Sequence, residues 1–219
     1  MTIQAGKTTD IIEDTPVVKG CTISSQIFKD GGITISIFSL AAKTSISASS
    51  YENYHLITVR KGVLKLAVGD RQEKLEQGES LLTPKNTLVG LAAAKDSIYT
   101  EIALTADAAI SSLIQPGKAF RLDKLIPYEE GRIVNCDLIS GSSFKLALMA
   151  LSPDSGLAEH SAPGNAMIFS LAGKGIVNYE GEEKVLEPGN VLKMTKGARH
   201  SVDAAWAFKM ALLVMTPAA

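Results

Sequence analysis

The chain repeats itself at a constant offset of 111 residues. Pro16 and Gly20 recur as Pro127 and Gly131, Leu40 as Leu151, Gly62 as Gly173, and Leu75-Glu76-Gln77-Gly78 as Leu186-Glu187-Pro188-Gly189. The chemistry repeats more widely than the identities: ITISIFSL at 33–40 answers to FKLALMAL at 144–151. The offset never slips, so matched elements have neither gained nor lost a residue. A shared register of glycines at that constancy means two copies of one small fold. The expected division is 1–108 and 119–219, joined by a linker at 109–118.

Each copy reads as β. In the first, residues 33–40, 56–59, 63–68, 72–75, 80–82 and 98–104 are short, apolar or alternating, and bounded by Gly, Asp, Asn or Pro. Gly69-Asp70 and Glu180-Gly181 sit at equivalent places between two such segments, as two-residue hairpin loops do. The one helix candidate is the connector, LTADAAISSLI at about 104–114, closed by Gln115-Pro116-Gly117. Many short strands with regular turns predict an all-β fold, two tandem sandwiches or small barrels. Ala166–Leu171 and Leu56–Val59 are apolar on both faces. Such strands are covered on both sides, by the sister copy or by a second chain in a homodimer.

Composition narrows the partners. The 22 Lys and Arg nearly balance the 23 Asp and Glu, and no basic run exceeds Arg60-Lys61. That excludes nucleic acid and an anionic membrane surface as main partners, because both need clustered positive charge. No apolar run approaches the roughly 18–20 residues that span a bilayer, and the first residues lack an export pattern. Cys21 and Cys136 make neither a disulfide framework nor a CxxC pair. The expectation is a soluble, cytoplasmic protein that binds a small molecule.

Histidine is scarce: His55, His160 and His200. His160 stands 13 residues before Gly173, and His200 stands 11 after Gly189. In spacing, Gly189-NVLKM-Thr195-Lys196-Gly197-Ala198-Arg199-His200-SVD-Ala204 resembles the second motif of the cupin superfamily. Thr195 replaces its proline and Ala204 its asparagine. In the first motif His160 falls on the first histidine, Ala162 on the second and Ala166 on the glutamate. Both halves carry the pattern, so the chain resembles a bicupin, and the resemblance implies two jelly-roll barrels, each a double-stranded β-helix. In the N-terminal copy the ligand positions are Ser49, Tyr51, His55 and Val89. One histidine of four holds no metal there, so that copy is expected to be structural or dimerising, with His55 and Tyr51 as hydrogen-bonded core polars.

The resemblance also implies, for the C-terminal barrel, a divalent transition metal (Zn, Fe, Mn or Ni) held by histidines and a carboxylate. Two ligands of four survive, His160 and His200, where three or four are normal. Strand alternation turns Glu159 and Asp203 away from them. Three readings stand for the pair: buried remnants of a metal-binding ancestor, a metal site completed by water or an unexpected ligand, and a metal-free pocket for a small acid or sugar. The last two share a barrel interior lined by His160, Ala162, Ala166, Ile168, His200, Val202 and Met210. The expected function is binding of a small polar metabolite, a divalent metal, or both. The rival class is a metal-dependent oxygenase, isomerase or lyase. No Ser/His/Asp order, nucleophile elbow or phosphate cradle is present.

Overall fold

The computed structural model describes residues 3–216, so the outermost ends of the two expected domains lie outside the described residues. Among the described residues the chain is β throughout, with a single 3-10 turn at Leu122–Lys124. It divides into two compact units, each a two-sheet jelly roll.

The first unit holds Ile12–Ala108 and Ser112–Arg121. Its larger sheet runs, in spatial order, Ala119–Arg121, Glu79–Leu82, His55–Lys61, Ser97–Ala103, Ile33–Leu40 and Thr22–Asp30. The smaller runs Ser45–Ser50, Leu88–Ala93, Val63–Val68 and Arg71–Glu76. All these neighbours are antiparallel. Alternate residues of both sheets meet in one core: Ile57, Val59, Leu81 and Tyr99 from the first, Leu64, Leu66, Val89 and Leu91 from the second.

The second unit repeats this plan. Its larger sheet runs Thr8–Asp10, Asn190–Met194, Ala166–Gly173, Phe208–Met215, Phe144–Leu151, Ile133–Gly141 and Ala109–Ile110. Its smaller sheet runs Ser155–Ser161, Arg199–Ala204, Gly175–Tyr179 and Glu182–Leu186. The repeated glycines have a steric cause. Gly62 and Gly173 both take a positive φ, 86° and 74°. A Cβ at Gly62 would lie 2.3 Å from the Asp96 carbonyl oxygen, and one at Gly173 would lie 1.7 Å from that of Ala207. Each copy needs the same bare backbone at the same place.

Chain order and unit membership do not coincide. Residues 3–11 and 109–111 belong to the second unit, and 112–121 to the first. The pairing keeps the 111 offset: Arg121 stands opposite Glu79, and Asp10 stands opposite Asn190. The short strand heading each repeat therefore lies in the sheet of the other repeat, which the linear division at 108 and 119 does not express.

The connector is not helical. Ala109–Ile110 is a strand paired with Ser140 and Ile139. Just before it, the Thr105 hydroxyl donates to Asp107 Oδ1 at 2.5 Å and Ala108 N–H to the Thr105 carbonyl, so a local turn captures the start of the expected helix. Strands Thr22–Asp30 and Ser45–Ser50 escape the hydrophobic pattern because they are mostly exposed, and Leu88–Ala93 because Gly90 interrupts it. Met167, Ile168 and Phe169 are all buried within the single chain, so covering both faces of that strand needs no second copy. No helix of the described residues is long and apolar enough to cross a membrane.

A chain beginning at Ile12 would leave Asn190–Met194 as a bare sheet edge. Hydrogen exchange should then show those amides losing protection by about tenfold or more, while Glu79–Leu82 stay protected. Unchanged protection at 190–194 would contradict the placement of Thr8–Asp10.

Candidate functional site

His160 and His200 are brought together by strand register. The edge strand Ser155–Ser161 pairs with Arg199–Ala204, and His160 stands directly opposite His200. Simple alternation would not do this. Leu157 opposes Val202, and two further steps would set Glu159 against His200. A register irregularity between Leu157 and His160 absorbs the extra residue. The ring centroids lie 4.2 Å apart with the planes tilted by 54°. Glu159, displaced from the pair, forms an ion pair with Arg199 at the surface.

The two rings differ in burial but agree in tautomer. His200 is buried and His160 is exposed, so the pair sits at the rim and not in the closed interior expected from the sequence. His160 Nδ1 donates to the Ala158 carbonyl at 2.8 Å, and His200 Nδ1 to the Ala198 carbonyl at 3.3 Å. A carbonyl oxygen only accepts, so in each neutral ring Nδ1 carries the proton and Nε2 holds a lone pair. Burial, with a smaller contribution from His160, holds the His200 pKa below its ordinary value, while the Ala198 hydrogen bond opposes the shift. Tyr179 pairs with His200 across the sheet, and its hydroxyl contacts Thr195 Oγ1 at 3.1 Å.

The other expected lining residues divide. Ala166, Ile168, Val202 and Met210 belong to one apolar cluster that also contains Met149, Tyr179, Met194 and Phe208. Ala162 is buried beside it, its N–H donating to the Ala198 carbonyl at 3.0 Å. These side chains form packed core beneath the pair.

The first unit carries a polar group of its own. His55 Nδ1 lies 2.8 Å from Glu101 Oε1, and the Tyr51 ring stacks on His55 with centroids 4.0 Å apart and planes 26° apart. The hydrogen-bonded role expected for His55 matches this contact, but its partner Glu101 carries no motif and is invisible in sequence. His55 pairs with Ala103 and Ile57 with Glu101. The two side chains are thus diagonal neighbours on the face that bears Ile57 and Tyr99.

A resident transition metal does not fit the second-unit donor set. Such an ion takes three or four protein ligands. Among the described residues no group of three or more His, Cys, Asp or Glu is placed to hold one. In the neutral rings Nε2 of each instead remains an acceptor for a ligand that donates.

No family model and no curated protein matches the chain. Solved structures do. A cupin 2 conserved barrel domain protein from Leptotrichia buccalis is 22% identical, with 98% of each chain covered and a TM-score of 0.87. A G106A mutant of salicylate 1,2-dioxygenase from Pseudoaminobacter salicylatoxidans is 14% identical over 83% of this chain and 70% of that one, at 0.62. Oxalate decarboxylase from Bacillus subtilis, a protein with Mn(II) centres, is 9% identical over 97% and 78%, at 0.56. The fold is the all-β cupin jelly roll.

The His200 shift fixes a pH dependence. Its folded pKa lies below the ordinary 6.5, so the folded state binds fewer protons than the unfolded chain in between. The stability it contributes is fully present above 6.5 and is lost as pH falls through the folded value. Chemical denaturation of wild type should therefore show stability dropping on acidification from neutrality, with a shallower slope in His200→Gln. Equal slopes would contradict the burial of this ring.

Proposed function

We propose that the chain is a bicupin whose second barrel binds a small polyhydroxylated metabolite at the His160/His200 pair, without a resident metal. One observation carries this reading: both rings give Nδ1–H to a backbone carbonyl, which leaves Nε2 on each as an acceptor. Two acceptor nitrogens select hydroxyl donors, and His200 resists acquiring the charge that would hold an anion. The exposed His160 gives access, and the apolar floor below suits the carbon skeleton of a sugar or polyol. The first barrel takes no part in this site.

The metal-dependent enzyme is the competing class, and calorimetry on tag-free, full-length protein separates the two. Mn(II) and Zn(II) should give no stoichiometric binding. A panel of small sugars and polyols should contain a ligand whose affinity falls by about tenfold or more in His200→Gln, the effect of one or two lost hydrogen bonds. One equivalent of tightly bound metal, lost in the His160→Ala/His200→Ala double variant, would overturn the metal-free reading. A panel without any ligand sensitive to these residues would overturn the site itself.

A further inference from the structure

The first barrel was expected to be a structural or dimerising half, yet it holds an imidazole positioned by a carboxylate. Glu101 fixes His55: a carboxylate only accepts, so in the neutral ring Nδ1 carries the proton and Nε2 holds the lone pair. The His55 backbone is fixed as well, its N–H donating to Thr83 Oγ1 at 2.9 Å and its carbonyl accepting from Thr83 N–H at 2.9 Å. Tyr51 lies against the ring face, with its backbone carbonyl held by Asn86 N–H at 2.8 Å. Among the described residues neither His55 Nε2 nor the Tyr51 hydroxyl has a hydrogen-bond partner.

The His55 and Glu101 side chains keep 14% and 13% of their exposure, so the group is not sealed from solvent. Burial first, and the Glu101 charge second, raise the Tyr51 pKa, so its phenol remains a donor at neutral pH. An oriented acceptor and an available donor therefore stand side by side, on elements locked by backbone hydrogen bonds.

We infer that His55, Tyr51 and Glu101 form a second, metal-free binding site, for a small neutral molecule that bears a hydroxyl beside a carbonyl. His55 Nε2 accepts from the ligand hydroxyl, the Tyr51 hydroxyl donates to the ligand carbonyl, and Glu101 is a positioning residue acting through His55. The site is independent of the His160/His200 pair.

The test uses full-length protein carrying His160→Ala and His200→Ala, so that failure of either site is read separately. Dihydroxyacetone is titrated while the His55 ring is followed by NMR, with glycerol as the analogue lacking the carbonyl. A saturable His55 shift with dihydroxyacetone is expected, with affinity about tenfold weaker in Tyr51→Phe and for glycerol, the effect of one hydrogen bond. Glu101→Leu should abolish binding and release the Nδ1–H tautomer, whereas Glu101→Gln, which keeps an accepting oxygen, should retain both. If Glu101→Leu does not fold, the Tyr51→Phe and Glu101→Gln arms still decide. No saturable shift, equal affinity in Tyr51→Phe, or tautomer loss in Glu101→Gln would overturn the assignment.

Discussion

Cross-strand register governs what these barrels can do. Each step along a strand turns a side chain from one face to the other, so two polar groups meet only when the pairing sets them opposite or diagonal on one face. Direct opposition brings His160 to His200, and it depends on the irregularity after Leu157. Diagonal placement brings His55 to Glu101. A slip of one residue in either ladder would separate the groups and expose the apolar residues that share their strands.

The duplicated frame makes the two units directly comparable. By the 111 offset His160 and His200 correspond to Ser49 and Val89, which also stand opposite each other after a register irregularity. Conversely, Tyr51, His55 and Glu101 correspond to Ala162, Ala166 and Leu212. The histidine pair of the second unit is thus replaced by a serine and a valine in the first, and the polar trio of the first by two alanines and a leucine in the second. The frame tolerates this because its necessities lie elsewhere, in the bare glycines at 62 and 173 and in the strands at 8–10 and 119–121 that complete the larger sheets.

Much of the fold was legible in the sequence. The constant offset, the turn glycines and the short apolar segments lead to two jelly rolls, and 33–40 and 63–68 emerge with their full lengths. Strands with few buried residues leave little hydrophobic signal, which hides Thr22–Asp30 and Ser45–Ser50. The connector mimics a helix because its apolar spacing is read without the Thr105–Asp107 turn that pre-empts it. Membership of Thr8–Asp10 in the second unit is a long-range pairing, and nothing local encodes it. Of the site, the motif spacing revealed the histidine pair. It did not reveal that His160 lies at the surface, nor that Glu101, from a strand without any motif, holds His55.

The central claim is that His160 and His200 together present two acceptor nitrogens. A long-range nitrogen–proton correlation spectrum of histidine-labelled protein, recorded at about pH 8 where imidazoles are neutral, tests it directly. The account predicts that both rings are protonated at Nδ1 and bare at Nε2. A ring protonated at Nε2 in either residue, or rapid exchange between tautomers in His200, would contradict it.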